Sequence, residues 1–362
     1  MTVRVLAAAG PGEVRVAAVR DDSLLDYAIG RQSMPDGVGD VYRGRVSMRA
    51  PALGGVFVAL DGTEDGFLPD TEGGKDQPQG TVLGVRITRS AQGGKGPRLT
   101  ARLAPHEAVG PGRQGLVRRG PGAVERLAAQ YPDAQVAVDD AALAASLRPA
   151  LGERLMLRPS VFDDGLLAAI EALAGPEITL PGGARISFHP TPALVAIDVD
   201  TGAAPGPPAA VNRAVLPVLA RQIRLRNLSG AILVDLAGMP ARRRASLAPL
   251  LAQALADDPV RPRLLGFTAL GLAEIVRPRV HPPLHELLAG PHAAGCAALR
   301  AIAAAVAGEP ARMPELRASA SVVRALERDE MALGDLARRT GRALMLRCDP
   351  SMTGIQWTME MP

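Results

Sequence analysis

Apolar residues cluster in short alternating runs at the start of the chain: Val3 to Ala8, Val14 to Val19 and Leu24 to Ile29, with Gly and Asp turns between them. Period-two runs of this length predict strands. From Val41 the runs become shorter and closer. Val41–Val46, Gly55–Leu60, Gly66–Pro69, Val82–Arg89 and Arg98–Arg102 predict four or five strands with glycines at the corners, the pattern of a small barrel of the OB type. Residues 103–123 are rich in Gly and Pro and read as a linker. Their Gly110-Pro111-Gly112-Arg113-Gln114-Gly115 spells a dinucleotide fingerprint, but no strand runs directly into it and Pro111 does not suit the tight turn that motif needs. Helical and strand patterns alternate from 124 to 290, which predicts α/β layering.

Two segments of that region stand out. Ala193–Asp200 is a β-branched run ending in Asp198 and Asp200. A helix follows from Pro207-Pro208, with Val211, Val215, Val218, Leu219 and Ile223 as its apolar stripe and Pro217 as an expected kink. Ser229-Gly230 then turns the chain into Ala231–Leu236, a second buried-type strand carrying Asp235. After about residue 291 the chain reads as Ala-rich helix, then a last strand at Ala343–Arg347. The fold class expected is α/β plus a small β-barrel. The division expected is an N-terminal β segment (1–35), an OB-type barrel (36–102), a linker and following region (103–190), an α/β region holding the acids (191–290) and a small C-terminal α/β domain (291–362).

Composition narrows the function classes. At 362 residues and 47% hydrophobic content the chain can build two or three cores and is not a disordered chain. No apolar run reaches the roughly 18 residues of a membrane span, and the start lacks the order of a signal peptide. Two cysteines, Cys296 and Cys348, exclude a disulfide scaffold, so a soluble, reduced, cytoplasmic protein is expected. Net charge is +4, but residues 81–120 carry eight basic groups against one acid, and residues 211–244 seven against one. Positive charge gathered in two blocks suits an anionic polymer, with solvated arginine faces as the plain alternative.

The chemistry-bearing residues follow from these placements. Strand periodicity puts Asp198 and Asp200 on one face, and pairing with the Asp235 strand would gather three carboxylates at one sheet edge. Such a cluster repels itself unless a cation is present. Mg²⁺ suits it, because it takes one or two carboxylates and keeps waters for a phosphate substrate. Arg242-Arg243-Arg244 opens a helix, where cations oppose the macrodipole unless phosphate lies near. His281 and His285 have zinc spacing, but Pro282 and Pro283 between them argue against the helix that spacing needs. In the barrel, Tyr42, Phe57 and Phe67 are core or base-stacking platforms, and Arg43, Arg45, Lys95 and Arg98 are placed to meet phosphates.

The order of these pieces resembles the catalytic half of the ribonuclease E/G family, bacterial endoribonucleases of RNA processing and decay. Gly39–Val46, Phe57-Val58, Gly66–Pro69 and Gly94-Lys95-Gly96 with Leu99-Thr100 resemble the family's S1-type OB domain. Ile197–Gly202, Asn212, Arg221–Arg226, Gly230, Val234-Asp235, Met239 and Gly271–Glu274 with Arg277 and Arg279 resemble its catalytic region. The resemblance implies a ribonuclease-H-like and DNase-I-like catalytic core with an inserted S1 barrel, and Asp198 and Asp235 holding a catalytic Mg²⁺. It implies Phe57, Phe67 and Lys95 clamping single-stranded RNA and 5′-phosphate products.

The departures matter too. Asp200 stands where the family usually has Asn, Gly238 where a further acid often lies, and the stretch between the barrel and Asp198 is shortened, so the resemblance implies that 103–190 is a linker and a shortened 5′-sensor-like region. The Arg-Thr pair that senses a 5′-monophosphate has no clear counterpart; Arg118, Arg119, Arg261, Arg277 and Arg279 are the candidate phosphate contacts. The CxxC zinc link between protomers is missing, so no zinc site and no zinc-linked assembly are expected, although an oligomer of another kind is open. Two readings stand: a Mg²⁺-dependent endoribonuclease of single-stranded RNA, and a non-catalytic RNA-binding protein of the same family. A nucleotide-metabolising α/β enzyme is a distant third.

Overall fold

A computed structural model describes residues 2–62 and 64–360. The three opening runs form an antiparallel meander, β1 (Val3–Gly10), β2 (Glu13–Arg20) and β3 (Ser23–Arg31). The chain then enters a barrel of β4 (Val41–Ala50), β5 (Gly55–Ala59), β6 (Gly66–Pro69), β7 (Val82–Arg89) and β8 (Arg98–Thr100). Its strands bond in the order β5-β6-β8-β7-β4, and β4 pairs back to β5 to close it, an arrangement consistent with an OB-fold. Val46, Val56, Val58, Leu68, Val85, Ile87 and Leu99 fill the interior. Gly66 is required there, because a Cβ would lie 2.6 Å from Leu99. Bulges between Val46 and Met48 and between Ile87 and Arg89 shift the register, and such bulges re-aim side chains on the outer surface. Within the Gly/Pro-rich stretch, β9 (Gly115–Arg118) adds to the edge of β4.

Beyond the barrel, β10 (Gln135–Val138) and β11 (Leu155–Leu157) lie parallel to β1 and complete a five-stranded sheet, β11-β10-β1-β2-β3. Helices Ala123–Gln130 and Ala141–Leu151 cover one face through Val124, Leu127, Leu147 and Leu151. The second helix starts at Asp140, whose carboxylate accepts the Leu143 N–H at 2.7 Å, a side-chain N-cap.

A six-stranded mixed sheet follows: β12 (Glu177–Thr179), β13 (Arg185–Pro190), β14 (Val195–Asp200), β15 (Gly230–Asp235), β16 (Arg263–Phe267) and β17 (Ala273–Arg277), in the order β12-β13-β14-β15-β17-β16. Only β14 and β15 pair in parallel, and helix Pro208–Leu225 connects them. Its stripe of Val211, Val215, Leu219 and Ile223 packs with Ile197, Val199, Ile232 and Val234 on one face of the sheet. Burying each such side chain contributes about 1.5–3 kcal/mol. No apolar layer of that kind covers the alternate residues Ala196, Asp198, Asp200, Ala231, Leu233 and Asp235, which are exposed or half-buried. One-sided burial of this kind leaves a polar sheet face for chemistry.

The C-terminal segment forms a three-stranded sheet, β18 (Glu315–Ala318), β19 (Leu346–Cys348) and β20 (Trp357–Glu360), around a core of Leu299, Ile302, Leu316, Val322, Leu326 and Leu336. Strand β20 has no counterpart in the sequence reading, because Trp357–Glu360 is too short to show a period. The chain divides into two compact units, 1–35 with 123–175 and 283–362, and 36–122 with 176–282. The barrel and the six-stranded sheet thus share one unit. Among the described residues no helix is long and apolar enough to cross a membrane.

In the first unit His292 and Cys296 sit one turn apart on helix Gly290–Gly308, with Cys296 Sγ 3.9 Å from His292 Nδ1 and His292 Nε2 2.8 Å from Asp329. The order thiol, imidazole, carboxylate resembles a nucleophile set. Cys296 is fully buried, however, and burial pushes its thiol up to about 11, which makes it inert. Cys348 is exposed. A disulfide reagent is therefore expected to titrate one thiol in the native protein and two after denaturation; two rapidly reacting native thiols would contradict the packing of Cys296.

Candidate metal centre and nucleic-acid face

Parallel pairing of β14 with β15 sets Ile197 opposite Val234 and Asp198 opposite Asp235. The two acids stand side by side on the open face, about one strand spacing (~4.8 Å) apart at the backbone. The Asp198 carboxyl is held above the usual carboxylate range, first by partial loss of water around it, then by Asp235 and Asp200. Like charges this close disfavour joint ionisation, and a cation between them removes that penalty.

Arg244 partly fills that role in the protein alone. Its Nη1 donates to Asp235 Oδ1 at 2.5 Å, while Nε donates to the Met239 carbonyl at 2.8 Å. The Arg244 side chain is mostly buried, and the Asp235 carboxylate is about half exposed. The basic cluster at 242–244 therefore contributes one residue to the carboxylate site, a role that the spacing of Asp235 and Arg244 does not signal.

Asp200 is not a third member of the pair. Arg185 Nη2 donates to its Oδ2 at 2.5 Å and the Gly202 N–H to its Oδ1 at 2.9 Å, so one oxygen is held from β13 and the other by the turn that ends β14. The Gly202 N–H and Arg185 hold its carboxyl below the usual range. Instead β13 supplies Ser187, directly opposite Asp198, and His189, whose Nε2 lies 2.9 Å from Ser187 Oγ. The sequence reading missed both. Their signal was the alternation of Arg185, Ser187 and His189 with buried Ile186 and Phe188. At Gly238 the backbone has φ +59° and a Cβ would lie 2.9 Å from Pro208, so this turn has no room for the acid expected there by analogy.

Among the described residues no group of three or more His, Cys, Asp or Glu side chains converges as a metal cage. Two adjacent carboxylates on an open face fit a hard divalent cation that keeps most of its waters.

On the barrel, register lines up one row of outward side chains across five strands: Met48 opposite Phe57, Phe57 opposite Phe67, Phe67 opposite Arg98, and Arg98 opposite Arg89. The Phe57 and Phe67 rings meet edge to face, with centroids 5.5 Å apart and planes at 60°. Both rings are half-buried and Met48 is exposed, so the row presents an apolar step ending in guanidinium groups. Lys95 is exposed in the turn that Gln92 and Lys95 close by a backbone pair, and Arg45 is exposed on β4.

Other expected contacts are placed differently. Tyr42 is 4% exposed and belongs to the barrel core, because its position on β4 points inward with Val46. Arg43 donates to the carbonyls of Gly110 and Arg113 at 2.6–2.9 Å and fastens the Gly/Pro-rich stretch to the barrel. Arg118 pairs with Glu107 at 2.8 Å and Arg119 with Asp40 at 2.6 Å. Arg277 is buried against Asp258, which removes it from the phosphate contacts, whereas Arg261 and Arg279 are exposed.

Residues 140–280, which include β12 to β17 and the carboxylate pair, match the model of the ribonuclease E/G family. Ribonuclease G of Escherichia coli K12 is 25% identical over 405 aligned positions, covering 80% of this chain and 82% of its own length. Ribonuclease E of a Nostoc species is 36% identical over 127 residues, covering 33% of this chain. Ribonuclease G of Haemophilus influenzae is 30% identical over 151 residues, or 39% of this chain. The chain spans 18% and 19% of the length of two ribonuclease E relatives that it matches.

Proposed function

We propose that this chain, which resembles the ribonuclease E/G family over residues 140–280 and ribonuclease G over most of its length, is a Mg²⁺-dependent endoribonuclease that cuts single-stranded RNA in RNA processing or decay. The observation that carries this reading is the side-by-side placement of Asp198 and Asp235 on an open sheet face. A divalent cation held by the two would supply charge at the scissile phosphate and acidify a bound water, leaving a 5′-phosphate on the downstream fragment. Arg244 fixes one oxygen of Asp235 and so limits its rotation. Phe57 and Phe67 take bases, while Lys95, Arg98 and Arg45 meet phosphates. The five-stranded sheet, with β10 and β11 parallel to β1 beside an antiparallel meander, supports a ribonuclease-H-like reading, and the six-stranded sheet is the DNase-I-like catalytic region. Residues 36–102 are then the S1-type RNA-binding domain and the protein acts in the cytoplasm. With only Cys296 and Cys348 present, any oligomer forms without a CxxC zinc link.

Two ion pairs favour the second reading, a non-catalytic RNA-binding protein: Arg244 already neutralises Asp235, and Arg185 neutralises Asp200. The two readings separate in one assay. Matched 5′-monophosphorylated and 5′-hydroxyl A/U-rich oligoribonucleotides are incubated with the protein in Mg²⁺ or in EDTA. Cleavage in Mg²⁺ alone is expected; binding without cleavage in Mg²⁺ selects the second reading, and neither binding nor cleavage overturns both.

The aromatic pair carries its own expectation. Phe57→Ala and Phe67→Ala should each weaken RNA binding by about 1–3 kcal/mol, measured by fluorescence anisotropy. The double variant should lose less than the sum, because the touching rings share one base-binding surface.

A further inference from the structure

We propose that Arg89, Arg98 and Arg279 form one anion seat that takes a backbone phosphate of the RNA stacked on Phe57 and Phe67; this rests on the reading of single-stranded RNA as the ligand. The bulge in β7 brings Arg89 opposite Arg98, and Arg98 lies opposite Phe67, so the seat continues the aromatic row. Arg279 comes to the same place from the segment after β17. The Ser90 N–H donates to the Val280 carbonyl at 2.9 Å, and Ser90 Oγ and Gln92 Nε2 donate to the same oxygen at 3.2 and 3.3 Å. Those bonds fasten the residue after Arg89 to the residue after Arg279. Gly230 makes room for the third guanidinium: its φ is +86°, and a Cβ there would lie 2.6 Å from Arg279 Nη2.

The charges are unbalanced. Arg86, Arg118, Arg119, Arg185, Arg244 and Arg277 each pair with a carboxylate. Among the described residues no ion pair engages Arg89, Arg98 or Arg279. Arg89 Nε is also buried without a hydrogen-bond acceptor. A buried donor lacking an acceptor is a cost that a native protein rarely carries without a reason, and phosphate oxygens would supply the missing acceptors. Burial, then Arg98 and Arg279, lower the pKa of the Arg89 guanidinium, as expected for a cation crowded by cations.

The seat also has a defined distance from the carboxylates. Gly230 and Asp235 open and close β15, so five residue steps, about 17 Å, separate the two ends of that strand. The bound phosphate is therefore not the scissile one but lies further along the strand, which makes the seat a register device for longer substrates.

The test uses a fluorescein-labelled oligoribonucleotide in EDTA, so that binding is read without cleavage, titrated into wild type, Arg98→Gln and Arg279→Gln across a range of KCl. Each variant is expected to bind roughly tenfold more weakly, and the slope of log affinity against log salt should flatten by about 0.7 for the lost phosphate contact. Variants that keep the wild-type affinity and slope overturn the seat and leave the proposed function standing. Should wild type itself fail to bind RNA, the proposed function falls and sodium sulfate decides the seat separately. Sulfate should raise the wild-type Tm above that in chloride of equal ionic strength, and Arg279→Gln should lose that increment. An equal sulfate response in both proteins overturns the seat.

Discussion

Asp235→Asn is expected to lower the rate of RNA cleavage by about a thousandfold, the roughly 4 kcal/mol that a site-bound divalent cation can supply. RNA affinity measured in EDTA should hardly change. The substitution is conservative in shape. Asn keeps an oxygen where Asp235 Oδ1 accepts from Arg244, so the fold around the Met239 turn stays intact. What is lost is the negative charge that faces Asp198 across the parallel pair. Asp198→Asn should behave alike, because either change leaves a single carboxylate. Asp200→Asn should not: both Asp200 oxygens already serve Arg185 and Gly202, and a loss within about tenfold would fit a turn anchor. Initial rates for the three variants at saturating RNA decide the matter. Wild-type rates in both Asp198→Asn and Asp235→Asn would end the metal assignment, and a thousandfold loss in Asp200→Asn would restore it to the site.

Much of this arrangement was legible because it depends on period and parity. Alternation of Ile197, Val199 and Val234 with Asp198 and Asp235 fixed which face each acid takes, and the intervening amphipathic helix implied α/β layering, while the parallel pairing that sets Asp198 opposite Asp235 came from the structure. Short runs with glycine corners implied the barrel for a similar reason. Contacts between distant segments were not legible. Arg244 reaches Asp235 beside Gly271, whose φ is +84° and where a Cβ would lie 2.9 Å from Ala241 and 3.2 Å from Arg244. The outward row from Met48 to Arg89 depends on two bulges, and a bulge leaves no periodic trace when it falls between a Val and a Met or an Ile and an Arg. Arginine was the least readable residue type. With 41 basic groups in 362 residues, sequence could not separate guanidinium groups that hold carbonyls, as Arg43 does, from those left open to an anion. Tyr42 illustrates the same limit for aromatics: only the register of β4 reveals that its ring points inward while Phe57 and Phe67 point out.

Arg277→Ala is the second large effect, and it falls on stability. The side chains of Arg277 and Asp258 are 3% and 4% exposed. Arg277 Nε donates to Asp258 Oδ2 at 2.7 Å and Nη2 to Oδ1 at 3.3 Å, while Nη1 donates to Asn227 Oδ1 at 2.6 Å and to the Leu228 carbonyl at 3.2 Å. One guanidinium thus ties the end of β17 to the turn before β15 and to the turn at 258–260. Truncation leaves the Asp258 charge in a low-dielectric interior, and breaking a buried pair in this way costs about 3–5 kcal/mol. A urea melt should show a midpoint well below wild type. Arg277→Met with Asp258→Leu removes both charges and should recover most of the loss, since an apolar pair of similar size avoids the stranded ion. If Arg277 instead met RNA, Arg277→Ala would keep the wild-type midpoint and flatten the salt dependence of binding. The two outcomes are opposite in both measurements, so one set of melts and titrations separates a structural arginine from a phosphate-binding one.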